Sequence, residues 1–298
     1  MRRPLLIFPV LLVALGVWAL MTGQDQDLAR WAAGWQREFQ NALAGGLRAL
    51  RADEPGAVAA LLGLCFAYGF FHALGPGHGK FLIGGYGVSR KVPLVRLSVI
   101  SLLSSIGQAV TAILLVLAGL FVMGWSRVQM TGAAENIMLP ISAAAIGLIG
   151  IWLAVRGARR LWQLRSGPAQ GEAEHACQSG CGHRHGPSVD EIRRAGGLRD
   201  ALALIGGIAI RPCSGAILLL VLTWHMDILM AGIFGTLAMS LGTAALTILV
   251  AASSVFIRES TLFSFGEATR AAYVLPIIEL CAGAAILVIS VEMAGLTA

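Results

Sequence analysis

The stretch His72-Ala-Leu-Gly-Pro-Gly-His78-Gly-Lys80 sets two imidazoles, a proline and three glycines inside an apolar run from Ala57 to Val88, long enough to cross a bilayer. Ionisable groups at membrane depth are costly and usually face a bundle interior or a wet cavity. Pro76 removes a helical hydrogen bond, and the glycines let the backbone open. The segment therefore reads as a broken transmembrane helix carrying metal-type donors, with Pro76 and Gly77 at the break. The plain alternative is a pair of histidines packed against neighbouring helices.

The rest of the chain agrees with a membrane setting. Of 298 residues 57% are hydrophobic and 13% charged, and the mean hydropathy of +0.77 excludes a soluble domain. The net charge of +6 falls mainly in short loops, without a basic domain or aromatic binding motif, so nucleic acid is not an expected partner. Cys65, Cys213 and Cys281 lie in apolar spans and Cys177 and Cys181 in a loop, which is no disulfide framework.

Seven apolar spans are expected, at about 4–22, 57–86, 94–123, 137–156, 199–223, 229–257 and 271–295. The first lacks a convincing small-residue cleavage site and reads as a retained anchor. After it, Leu28, Trp31, Trp35, Phe39, Leu43, Leu47 and Leu50 recur on one helical face, as in an amphipathic helix at the membrane surface or a stalk packed on the bundle. Asp53-Glu-Pro-Gly56 stops that helix. With the N-terminus inside, fifteen Lys and Arg fall in inside segments and five in outside ones, and this bias predicts a cytoplasmic N-terminus and an outside C-terminus.

An internal repeat runs through the spans. Pro76 and Gly79 match Pro212 and Gly215 at an offset that also pairs Leu139-Pro-Ile141 with Leu275-Pro-Ile277 and Gly147 with Gly283. Between them Ser105-Ile-Gly107-Gln-Ala109 matches Ser240-Leu-Gly242-Thr-Ala244. Three spans per copy is an odd number, so the copies run oppositely through the membrane, the plan of many secondary transporters. The expected fold is thus an all-α polytopic membrane protein of about seven transmembrane helices, an N-terminal anchor plus two inverted three-helix repeats. Its parts are 1–56 (anchor and periplasmic amphipathic helix), 57–164 (first repeat), 165–197 (cytoplasmic His/Cys-rich loop) and 198–298 (second repeat).

In that plan the site lies where the two broken helices meet, here His72 to Lys80 and Ile210-Arg211-Pro212-Cys213-Ser214-Gly215. His72, His78 and Cys213 would offer imidazole and thiolate donors, which suit nickel, cobalt or zinc rather than magnesium or calcium. Cys213 reads equally well as a small buried hydrophobe. Arg211 and Glu279 also sit inside spans and can pair with each other, or Glu279 can carry a proton. Lys80 can snorkel to the interface as an anchor. Pro76, Gly77, Lys80, Arg211, Ser214 and Glu279 form the pathway or coupling set. The longest inside loop adds His175, Cys177, Cys181, His183 and His185 within eleven residues, a cluster suited to weak, exchanging metal capture or else a plain linker.

HALGPGHGK, RPCSGAILLL in the fifth span and LAMSLGTA in the sixth, with a His-rich inside loop before the fifth, closely resemble the NicO/RcnA-type nickel/cobalt efflux family over nearly everything from Ala57 onward. The resemblance implies a multi-pass nickel and cobalt exporter of the bacterial inner membrane. It carries the first motif's histidines onto His72 and His78, and the Pro-Cys of the second onto Pro212 and Cys213. Related nickel permeases carry an acidic residue directly before the second histidine, where Gly77 stands here.

The expected activity is export of Ni(II) or Co(II) by proton exchange, since no nucleotide-binding glycine loop is present. The chain is read as no enzyme, with no prosthetic cofactor. Its partners are the transported ion and the bilayer, and a homo-oligomer is left open. Zinc transport, metal import and metal sensing without transport are the nearer alternatives. A thiol-redox conduit of the CcdA/DsbD type needs two cysteines able to meet, and the repeat position matching Cys213 is Gly77.

Overall fold

A computed structural model describes residues 24–74, 78–90, 92–165, 198–265 and 268–295. The expected first span, residues 166–197 of the expected loop with its five donors, and Pro76 and Gly77 lie outside the described residues. So does the His78 side chain, although His78 itself opens a helix. Among the described residues all regular structure is helical.

The helices are α1 (Gln24–Arg51), α2 (Ala57–Leu74), α3 (His78–Ser89), α4 (Leu94–Ala118), α5 (Arg127–Ala133), α6 (Leu139–Arg165), α7 (Leu198–Ala209), α8 (Ser214–His225), α9 (Leu229–Phe265) and α10 (Ala268–Met293). Five stretches are long and apolar enough to cross a membrane: Ala57–Leu74, Leu94–Met123, Arg127–Arg165, Leu229–Ser260 and Pro276–Met293. A sixth is the pair α7 and α8, bent by 57° at its break. The chain is therefore an all-α polytopic membrane protein. The span expected at 57–86 is divided into α2 and α3, on either side of Gly75-Pro76-Gly77, and the one expected at 137–156 is part of a 39-residue rod.

Local chemistry sets these boundaries. Pro93 precedes α4 in an extended conformation, where its missing N–H costs nothing. A π turn, Gly119–Met123, ends α4 at the left-handed Gly124. Ser126 then caps α5, its hydroxyl accepting from Gln129 N while Gln129 Oε1 accepts from Ser126 N at 2.8 Å. A second π turn, Ala134–Met138, joins α5 to α6 as one rod. Pro212 cannot donate a helical hydrogen bond, and α8 restarts at Cys213, whose carbonyl accepts from Ala216 N at 3.1 Å.

The amphipathic α1 packs along α2. Phe71 receives Phe39 at 5.2 Å, Trp31 at 5.9 Å and Trp35 at 6.0 Å between ring centroids. Leu47 is completely buried and Leu43 nearly so. The bundle covers the Leu43 and Leu47 end of this face, as in the stalk alternative, while Trp31 and Trp35 remain 51% and 40% exposed. The bundle itself pairs α2 with α9, α4 with α9, α6 with α10, and α4 with α7.

Two apolar clusters occupy the two ends of the bundle. On α4, Leu97 and Ile100 belong to one, and Ala112 and Val116 to the other. On α9, Ala251 and Val255 belong to the first and Met239 to the second. Between them both helices carry polar residues that face the same space: Ser101, Ser104, Ser105 and Gln108 on α4, Thr243 and Thr247 on α9. That interruption, halfway along two spanning helices, is where the bundle hollows.

Candidate functional site

A cavity of about 180 Å³ lies at this level. Its wall combines the end of α2 (His72), the start of α3 (Gly79, Lys80), the polar faces of α4 and α9, the end of α7 (Ile208) and the second break from Arg211 to Ser214. Both broken helices thus end in one space. A helix break frees backbone groups that must be satisfied internally or line a wet cavity. Lys80 meets part of that need, its Nζ donating to Leu74 O at the end of α2 at 2.8 Å. Across the cavity Gln108 Nε2 donates to Arg211 O at 3.4 Å.

His72 and Cys213 approach each other from opposite breaks, their side chains within hydrogen-bonding reach. His72 Nδ1 and Ser104 Oγ are buried without a hydrogen-bond partner among the described residues. Buried polar atoms ordinarily find one, and both belong to residues on the cavity wall. An imidazole nitrogen and a sulfur supply two borderline-soft donors, and the hydroxyls of α4 and α9 can replace part of an ion's hydration shell. Among the described residues no three His, Cys, Asp or Glu side chains converge as a closed cage.

Tyr68, one turn before His72 and fully buried, fixes the imidazole from behind. The rings stack at 5.7 Å with 10° between planes. The Tyr68 hydroxyl accepts from Gln40 Nε2 of α1 at 3.2 Å. A Cβ at Gly215 would collide with the Tyr68 ring, so glycine there lets α8 close onto α2 just beyond Cys213.

Of the residues singled out from the sequence, His72, Lys80, Arg211, Cys213 and Ser214 line the cavity, and Glu279 does not. Glu279 is 1% exposed and bonds Arg160 of α6 at 3.0 Å, with Arg156 at 3.9 Å; it does not pair with Arg211. Sequence reasoning missed Ser101, Ser104, Thr247 and Glu135 as wall residues. The first two share a three- and four-residue spacing with Ser105 and Gln108, a polar stripe in an apolar span that could have revealed them. Cys65 is buried in the core and Cys281 exposed on α10, and both are free thiols.

Apolar spanning helices thus enclose a hollow at mid-bundle lined by hydroxyl, imidazole and thiol groups. Residues 58–191 match the NicO family, described as "High-affinity nickel-transport protein". The chain is 31% identical over 227 residues, 70% of each sequence, to a protein of Haemophilus influenzae described as "Putative nickel/cobalt efflux system". No solved structure matches it. The chain belongs to the NicO family of nickel/cobalt transport proteins.

Proposed function

We propose that this protein exports nickel and/or cobalt ions from the cytoplasm across the bacterial inner membrane, as a proton-coupled secondary transporter. The observation that carries the reading is the meeting of His72 and Cys213, from two separate helix breaks, on the wall of a mid-bundle cavity. The inverted three-helix repeat supports it: α2 packs on α9 as α7 packs on α4, which is the pairing expected if the first copy maps onto the second. His78, first residue after the break, is the third proposed ligand, and Pro76 and Gly77 provide the opening. Metal binding to imidazole and thiol displaces protons, which links ion and proton movement without a nucleotide.

The 165–197 segment, with His175, Cys177, Cys181, His183 and His185, is assigned cytoplasmic metal capture. Deleting residues 172–185 should weaken export at low metal and matter little at high metal. Direction is tested by topology. A single cysteine at position 129 should react with impermeant thiol reagents added to whole cells, and one at position 180 should be shielded. The reverse pattern would make the protein an importer.

A further inference from the structure

α1 runs antiparallel along α2. A Cβ at Gly46 would meet Leu61 and Leu64 at 3.5 Å, Gln40 bonds Tyr68 at 3.2 Å, and Phe39 and Trp35 lie against Phe71. α2 is long and apolar enough to span a membrane, and it exposes Val58 and Phe66, groups suited to lipid. The part of α1 from Trp35 to Leu47 therefore stands at the depth of a spanning helix. Its outward face is nonetheless polar, with Arg37, Glu38 and Asn41 exposed. Charged groups at that depth face protein or a wet cavity rather than lipid. No residue three or four positions from Arg37 or Glu38 carries the opposite charge, so neither is answered along its own helix.

The pattern on this face is complementary to itself. Helical geometry sets Gly34, Asn41 and Gly45 in a line pointing away from α2, with Arg37 on one side of it and Glu38 on the other. Gly34 and Gly45 have open space before them. Consider two copies related by a two-fold axis along the membrane normal. Their α1 helices run parallel, line against line, and the Arg37 side of each meets the Glu38 side of the other. The glycines let the backbones approach, and Asn41 meets its own counterpart, an amide that both donates and accepts. Arg48, further toward the start of α2, turns back on its own helix, its Nε donating to Ala44 O at 3.1 Å.

We propose that α1 is the interface of a homodimer, in which a second copy of this chain covers the polar face, with Asn41 at its centre and each Arg37 paired with the partner's Glu38. The apolar stretch at 4–22 is a poorer occupant, because it has no group able to answer Arg37 and Glu38 once they are buried. Two charge pairs and an amide pair specify the contact where apolar area alone would not.

The test co-expresses the full chain under two different tags and measures, in mild detergent, how much of one tag is recovered on the other. The unsubstituted chain should co-purify with itself. Arg37→Glu and Glu38→Arg each set like charges together twice per pair, and each should lower recovery on the order of tenfold. Combining them restores opposite charges and should return most of the loss. In membranes, with the natural cysteines replaced by serine, Asn41→Cys should form a disulfide-linked pair under mild oxidation and Val58→Cys, on α2, should not. The charge reversals keep the natural cysteines and decide alone if the serine background fails to insert. No self-recovery, unchanged recovery in both single reversals, or a loss that the combination fails to relieve would each overturn the proposal. So would cross-linking at Val58→Cys that matches or exceeds that at Asn41→Cys. None of these readouts depends on nickel or cobalt flux, so they stand apart from the transport reading.

Discussion

His72 lies face to face with Tyr68, ring centroids 5.7 Å apart and planes 10° from parallel, so the imidazole that meets Cys213 is held by a residue outside the cavity wall. Tyr68 is anchored in turn by Gln40 of α1 and wedged against Gly215. The N-terminal helix is thereby tied to the proposed metal ligand through one aromatic ring. An aromatic stacking contact contributes about 0.5–1.5 kcal/mol beyond burial. Tyr68→Leu should raise the half-saturating nickel concentration about three- to tenfold, while Tyr68→Phe, which keeps the ring, should stay near the unsubstituted value. Concentration-dependent flux in vesicles measures both.

The crossing of α2 and α9 makes a second prediction. A Cβ at Gly69 would strike the Met239 carbonyl, and one at Gly242 the Phe66 carbonyl; the two glycines let the backbones touch, and Thr243 Oγ1 donates to Gly69 O at 3.1 Å beside them. Backbone cannot retreat as a flexible side chain can. Gly69→Ala and Gly242→Ala should each destabilise the folded protein by about 1–3 kcal/mol or more, read as earlier thermal unfolding in detergent. Gly63→Ala, with open space around it, serves as the control and should be neutral.

Glu279 yields a third. Its carboxylate is buried on α10 and held by Arg160 on α6, across the helix pair that closes the second side of the bundle. Glu279→Gln should cost about 1–3 kcal/mol, as expected when a buried hydrogen-bonded partner is altered. Because Glu279 is not on the cavity wall, nickel flux per inserted molecule should persist. A variant of normal stability that has lost proton-dependent flux would instead make Glu279 the coupling group.

The end of α3 gives a fourth. Arg258 of α9 donates to the carbonyls of Gly87 at 3.1 Å, Val92 at 3.2 Å and Arg90, and Arg90 pairs with Asp200 of α7 at 3.1 Å. One buried guanidinium thus satisfies the carbonyls left where α3 ends. Arg258→Met would leave these acceptors without their donor, and should lower the yield of folded, inserted protein. Asp200→Asn, at a side chain that is itself 26% exposed, should have the smaller effect. Fluorescence-detected size exclusion separates the two.

The broken helices were legible in the sequence because proline and glycine act locally: Pro212 ends α7 in the bundle just as its chemistry dictates. The spans were legible because hydropathy reports the solvent around a helix. Partners were harder. Glu279 belongs with Arg160 rather than Arg211, since helices in contact are chosen by packing that no single span encodes. Glu135 escaped notice as a wall residue because it lies in a π turn, which a regular helical period does not show. The fate of α1 was ambiguous for a related reason: an apolar face fits a lipid surface and a protein groove alike, and here Leu43 and Leu47 enter the core while Trp31 and Trp35 stay exposed.

The central claim is that metal crosses between the two helix breaks, through the His72 and Cys213 donors. Nickel and cobalt uptake into inside-out membrane vesicles tests it most directly, comparing the unsubstituted chain with His72→Ala, Cys213→Ser and the double variant at matched insertion. The account predicts uptake by the unsubstituted chain, its loss in His72→Ala and in the double variant, and a smaller defect in Cys213→Ser. Undiminished nickel and cobalt uptake by the double variant would contradict it.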